Sequence, residues 1–336
     1  MSGKFFIVPV VKYTPSEVRN IRLSLELTQY EFAYLMGVSQ NTVESWESGR
    51  SKPHGSACRI LSMIKADIEL PAKYNIIQKI MTERRNSDKM SGSAIILVSF
   101  GTSHNSAREK TINVLEADIK RDYSGYDVFT VFTSPTIRRI LKNRDNIVYN
   151  DLETMFGILK DRGYKNVICQ PTYIIKGFEY DNMRLTAEKY ANDFDSVKIG
   201  LPLLSDIEDY NEVIDALSID SDDEAYVLIG HGTAHEANMT YAALEDRFRK
   251  RGYGNVYIST IEGDQDIRVI YKTVNLIPLM FVAGDHAVND IAGDKADSYK
   301  SVFKQSGCSV RIVLKGLGEY ETIRKIYLKH INRSIN

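Results

Sequence analysis

Hydrophobic positions along this chain change their period near residue 93. Before it, the ordered pattern is helical. Thr14-Pro15 predicts an N-cap followed by proline in the first turn, with a helix continuing through Ile21 and Leu25. Thr28 and Glu31 have capping-box spacing, and Ala33 is small enough for a second helix to cross closely. Gly37 supplies a turn and Ser39 caps the next helix, whose Val43 and Trp46 face inward at i, i+3. A small all-α domain over residues 1–72 follows. Within 73–93, Ile76 to Met81 can extend a helix, but Glu83 to Ser93 is charged, then small and polar, with no apolar period. That segment reads as a solvated linker.

From residue 94 the pattern switches to short β-branched runs separated by amphipathic stretches such as Ala107 to Asp122, Leu152 to Arg162, Met183 to Asp193 and Thr240 to Arg251. Strand–helix alternation predicts parallel sheets with helices on both faces. The runs also repeat. Leu97-Val98-Ser99-Phe100-Gly101-Thr102-Ser103-His104 matches Leu228-Ile229-Gly230-His231-Gly232-Thr233-Ala234-His235. In the same order, Gly125 to Val131 matches Gly252 to Ile258, Pro171 to Glu179 matches Pro278 to His286, and Ser196 to Leu204 matches Ser309 to Leu317. The fold class is therefore α/β, with two Rossmann-like four-stranded lobes related by a pseudo-twofold. The lobes are set at 94–212 and 213–336, the second including the C-terminal helix.

Composition narrows the setting. With 336 residues, 43% hydrophobic and 26% charged, the chain has the make-up of a soluble globular protein. Phe5 to Val11 is too short to span a membrane and is broken by Pro9, with no small-residue cleavage site behind it. Cys58, Cys169 and Cys308 are scattered without CxxC spacing, which excludes a disulfide frame or thiolate zinc site. These features predict a cytoplasmic protein with no membrane partner. Charge is uneven: residues 1–90 carry 13 Lys+Arg and 9 Asp+Glu, a net +4, and the remainder is −5 of the total −1. Only the front predicts an anionic partner.

The front resembles the Cro/repressor-type helix-turn-helix family, through its cap, small residue, turn glycine and Trp46-Glu47-Ser48-Gly49 ending. Such a module lays its second helix in the major groove. Gln29, Gln40, Asn41, Thr42 and Ser45 become the expected DNA contacts, with Arg50 and Lys52 on phosphates. One module reads one half-site, so a homodimer is expected. The competing reading is a helical bundle used for protein contact. His54, in a polar turn after Pro53, reads as a surface residue.

In open parallel sheets, ligands sit beyond the carboxyl ends of the strands. No GxGxxG and no Walker motif occurs, so neither a dinucleotide nor a nucleoside triphosphate is indicated. The second lobe's strand ends carry His231, Glu262 and His286; the first lobe's carry Phe100, the neighbourhood of Ser134, and Glu179. Two imidazoles and a carboxylate suit a borderline divalent ion such as cobalt, nickel, zinc or iron. Glu179 is a base or a further ligand facing them. Taken singly, each histidine reads as a hydrogen-bonded structural residue and Glu262 as a turn carboxylate; taken together at equivalent ends of successive strands, they read as ligands. His104 and His235 are preserved by the repeat and are assigned structural roles at helix starts. His330 is assigned to the surface of the last helix.

Ser99-Phe100-Gly101-Thr102-Ser103, Phe132-Thr133-Ser134, Gly230-His231-Gly232, Pro278-Leu279-Met280, Ala283 to Asp290 and Gly316-Leu317-Gly318-Glu319 occur in order. In these the body resembles the anaerobic sirohydrochlorin cobaltochelatases, class II chelatases, over about residues 94–333. The resemblance implies insertion of Co2+, the substrate metal, into sirohydrochlorin in cobalamin synthesis, with no ATP or organic cofactor. It implies that His231, Glu262 and His286 hold the metal, that His231 accepts a pyrrole proton, and that Glu179 assists. The helix-turn-helix departs from that family. A polycarboxylate substrate in an acidic body needs local cations, and Arg138, Arg139, Lys142 and Arg144 are the candidates. The alternatives are a nickel or iron chelatase, or a regulator whose body senses a metal or tetrapyrrole without turnover.

Overall fold

The computed structural model describes residues 9–25, 27, 29–73, 92–219, 223–263 and 267–335. The chain divides into two compact units, Met1–Ser87 and Asp88–Asn336.

In the first unit, α1 (Pro15–Ser24) begins at a capping box. Thr14 Oγ1 accepts the Glu17 amide at 3.3 Å while the Glu17 carboxylate accepts the Thr14 amide at 3.0 Å. Then follow α2 (Gln29–Met36), α3 (Gln40–Glu47), capped by Ser39, α4 (Gly55–Ala66) and α5 (Leu70–Lys73). Val18, Phe32, Ala33, Val43, Trp46 and Leu61 form the core, as the helical period predicts. A half-buried fork ties the helices: Arg22 Nε and Nη2 donate to Glu47 at 2.7 and 3.0 Å, and Gln29 Nε2 donates to the same carboxylate at 2.8 Å. Burial pushes the Glu47 carboxyl up, but these bonds outweigh it and hold it below its ordinary value. Gln29, expected among the DNA contacts, has its amide nitrogen on Glu47 inside the head. The expected Thr28–Glu31 capping box rests on Thr28, which lies outside the described residues, as does nearly all of the expected linker.

The second unit contains two four-stranded parallel sheets. In one, β1 (Ser93–Ser99), β2 (Asp127–Phe132), β3 (Asn166–Pro171) and β4 (Ser196–Ile199) take the order β2-β1-β3-β4. In the other, β5 (Ala225–Gly230), β6 (Val256–Thr260), β7 (Thr273–Pro278) and β8 (Ser309–Ile312) take the order β6-β5-β7-β8. The central strands are buried along nearly their whole length, so they read as continuous apolar runs. Register repeats as well: Val98 opposes Pro171 and Ile229 opposes Pro278. The third strands therefore end at the prolines that the sequence reading took as their starts. Glu179 and His286 consequently lie beyond their strands, Glu179 on a helix and His286 in the segment after β7.

The first lobe carries α6 (Asn105–Lys110), α7 (Ile112–Asp122), α8 (Pro135–Asp145), α9 (Leu152–Asp161) and α10 (Phe178–Tyr190). Then come α11 (Ile207–Leu217), α12 (Met239–Lys250), α13 (Tyr299–Gln305) and α14 (Glu321–Ile335). The helix expected over 107–122 is broken at Thr111, whose hydroxyl donates to the Ala107 carbonyl at 2.6 Å.

One hydrophobic cluster joins the lobes. It unites Leu97, Phe132 and Ile168 with Leu228, Ile277 and Phe281, and receives Ile323, Ile326 and Tyr327 from α14. Expected as part of lobe 2, α14 instead returns to the first sheet: Tyr327 donates to the Thr172 carbonyl at 3.2 Å, and Tyr123 donates to the Leu328 carbonyl at 2.6 Å. His330 is likewise corrected from surface to interior. It is 1% exposed, with Nδ1 on the Leu201 carbonyl and Nε2 on Asp209, each at 3.1 Å. Position 330 falls on the apolar stripe of Ile323, Ile326, Tyr327 and Ile331 at helical spacing, and packing of α14 against α11 supplies the buried partner a histidine there needs.

Candidate active site

Both central strands stop at a glycine turn. Gly101 and Gly232 have φ of 93° and 87°, in the left-handed region that favours glycine. Close packing reinforces the requirement: a Cβ on Gly101 would lie 2.5 Å from the Phe132 ring, and one on Gly232 would lie 2.8 Å from Thr260 Cβ. These turns leave Phe100 and His231 at equivalent strand ends, each about half exposed. Beneath the second turn, the buried Tyr241 hydroxyl meets the backbone at Gly232 and His231. Burial pushes its phenol up to about 12 against the pull of those amides, so it supports the turn as a neutral group.

The chain beyond β7 returns to this point. The His231 and His286 rings lie 4.8 Å apart at 85°, although 55 positions separate them in sequence. His286 Nδ1 faces Asp290 Oδ2 at 2.6 Å, within a single π-helical turn over Ala287–Ile291. His231 Nδ1 faces two acceptors, the Gly232 carbonyl at 3.2 Å and Glu262 Oε1 at 3.7 Å. In the neutral ring each Nδ1 therefore carries the proton, and each Nε2 keeps its lone pair. Among the described residues no three His, Cys, Asp or Glu side chains close around one point as a metal site. The arrangement is an exposed imidazole pair with Glu262 alongside His231.

The first lobe contributes Glu179 from the first turn of α10, where Thr133 Oγ1 donates to its Oε2 at 3.5 Å. Thr133 follows β2, so this carboxylate stands at the first lobe's strand ends.

Against this geometry, a cobalt chelatase (CbiK) family profile matches residues 93–336. The chain belongs to the cobalt chelatase family. Sirohydrochlorin cobaltochelatase of Salmonella typhimurium is 33% identical over 258 residues, covering 72% of this chain and 96% of the relative. Sirohydrochlorin cobaltochelatase CbiKC of Nitratidesulfovibrio vulgaris is 32% identical over 265 residues, covering 74% and 92%. A solved structure of SirB from Bacillus subtilis with Fe3+ shares the fold, at a TM-score of 0.50 and 14% identity, covering 72% of this chain and 95% of that one. Ahead of the chelatase body, a helix-turn-helix profile matches residues 18–63.

The chelatase's expected cations fall into different settings. Arg138 is half-buried and pairs with Asp151 at 3.0 Å. Arg139 and Lys142 are exposed. Arg144 Nη2 donates to the Ser103 carbonyl at 2.6 Å and to Asn105 Oδ1 at 3.2 Å, beside the first glycine turn. On the head, Asn41, Arg50 and Lys52 are exposed and Ser45 is half-buried. Gln40 Nε2 donates to Glu44 at 3.1 Å, and the Thr42 and Ser39 hydroxyls meet at 2.8 Å. Sequence reasoning singled out neither Asp290 nor Tyr241. Only Asp290 carried a signal, its i, i+4 spacing from His286. No helix of the described residues is long and apolar enough to cross a membrane.

Proposed function

We propose that this chelatase inserts Co2+ into sirohydrochlorin without an organic cofactor, and that its head binds DNA. The observation that carries the first half is the imidazole pair: two basic Nε2 atoms, delivered from different strand ends, beside one carboxylate. Metalation removes two N–H protons from the macrocycle, and a neutral imidazole is a suitable acceptor near pH 7. His231, Glu262 and His286 hold the incoming ion loosely enough to release it, since few N/O ligands with open positions exchange readily. His231 then takes a pyrrole proton, and Glu179 assists from the first lobe. Arg138 and Arg139 meet the substrate carboxylates. Free thiols at Cys58, Cys169 and Cys308 support work in a reducing cytoplasm.

The full chain is expected to convert sirohydrochlorin to its metal complex faster than the uncatalysed rate, followed by absorbance with Co2+, Ni2+ and Fe2+ in parallel. Faster turnover with Ni2+ or Fe2+ reassigns the metal. Tight binding of metal or tetrapyrrole without turnover makes the body a sensor.

For the head, Gln40, Asn41, Thr42 and Ser45 face base edges, and Arg50 and Lys52 face phosphates. Reading a two-fold operator needs two heads, supplied by a homodimer. Removing either cation is expected to weaken duplex binding and lower the salt-dependence slope by about 1, measured by anisotropy across a KCl series. An unchanged slope in both variants makes the head a protein-contact module.

A further inference from the structure

The Gly-Thr turns do more than end two strands. In each, the threonine hydroxyl accepts the backbone amide of the histidine two residues on: His104 to Thr102 and His235 to Thr233, both at 3.1 Å. Each threonine then packs into the opposite lobe. A Cβ on Gly284 would lie 3.1 Å from Thr102 Oγ1, and one on Gly177 would lie 3.9 Å from Thr233 Cγ2. The histidines follow the same crossed path. His235, in the second lobe, reaches Asp181 on α10 at 3.2 Å; His104, in the first, stands 3.7 Å from Asp285, the neighbour of His286. The first contact is the tighter and the more shielded.

His235 uses its two ring nitrogens differently. Nδ1 accepts the Ala237 amide at 3.0 Å, which places the ring proton on Nε2 and makes Nε2 the donor to Asp181 Oδ2. The ring also meets Phe178 edge-on at 4.9 Å. Phe178 and Asp181 flank Glu179 in the first turn of α10, which residues 172–177 join to the end of β3.

We propose that His235 is a positioning residue that holds Glu179 in register with the imidazole pair, from across the lobe boundary, through Asp181. This rests on Glu179 taking part in metalation. A local cap would use Nδ1 alone, whereas positioning uses Nε2, and substitution separates them. Asn places its Oδ1 near Nδ1 and keeps the cap acceptor; Gln places an amide donor near Nε2 and keeps the reach to Asp181.

The test measures Co2+ insertion into sirohydrochlorin, with kcat and KM resolved, for His235→Asn, His235→Gln and Asp181→Asn. His235→Asn is expected to lose about 10-fold or more in kcat, since small displacements of a reacting group are costly, with KM for Co2+ little changed. His235→Gln retains most of the activity. In a Glu179→Gln background, His235→Asn adds no further loss. Equal losses in the Asn and Gln variants, a larger loss in Gln, or additive losses with Glu179→Gln overturn the proposal. Amide exchange over residues 178–184 decides the matter without turnover: it quickens in His235→Asn and not in His235→Gln. Unchanged exchange in both overturns the tie. An inactive wild type with faster exchange in His235→Asn instead removes the chelatase reading and leaves the tie standing.

Discussion

Replacing His231 with alanine is expected to lower Co2+ insertion by about two to four orders of magnitude, the usual contribution of a positioned general acid or base. The side chain is 48% exposed, so its loss opens no cavity and the melting temperature should hardly move. What is lost is chemical. His231 stands at the end of β5 with Nδ1 turned to the Gly232 carbonyl, and Nε2 is its basic nitrogen. It is also the member of the imidazole pair that lies alongside Glu262. On the proposed mechanism, both ion delivery and proton removal run through this ring. Single-turnover absorbance with saturating Co2+ isolates the proton step, and titration with Co2+ alone isolates binding. Asp290→Asn provides a graded comparison: an orienting carboxylate on a metal-binding histidine contributes about 10–100-fold. Full activity in His231→Ala would remove the proton-acceptor assignment, whatever the metal.

The second large effect is on stability. His330→Leu leaves the Asp209 carboxylate, whose side chain is fully buried, without its main partner. Breaking a buried pair by removing one member costs about 3–5 kcal/mol, which for a unit of this size lowers the melting temperature by roughly 6–20 °C. The loss spreads beyond one bond. Asp209 is the N3 residue of the α11 capping box and accepts the Ser205 and Asp206 amides at 3.2 Å each. It also meets Lys329 at 3.1 Å. Burial alone pushes the Asp209 carboxyl up; hydrogen bonds from His330 and Lys329 outweigh it and hold it below the usual carboxylate range. A depressed carboxyl stabilises the fold above its unfolded value, near pH 4, and that contribution fades as pH falls through the folded value. The gap between wild type and His330→Leu should therefore be widest near neutrality and narrow in acid. Thermal melts across pH 3 to 8 check this, and a gap that is flat with pH removes Asp209 as its source.

The sequence determined the element types and their repetition. Period-3.6 patterning with Thr14 and Ser39 as caps specified the helical head, because caps and apolar stripes act over a few residues. Alternating β-branched runs and amphipathic stretches specified two parallel sheets, and the repeat of Gly101-Thr102 at Gly232-Thr233 marked equivalent strand ends. It also marked His231 and His286 as candidates. It did not place the third strands: buried central strands carry no alternation, so the reading began at Pro171 and Pro278, where the strands in fact stop. Nor did it foresee that Gln29 would be turned to Glu47, that α14 would cross to the first lobe and bury His330, or that His235 would reach Asp181. Those outcomes depend on which distant surfaces meet. Local sequence sets how a segment folds and which groups it offers, but a polar side chain takes its partner from whatever packing brings within hydrogen-bond range, and here much of that packing comes from another helix or the other lobe.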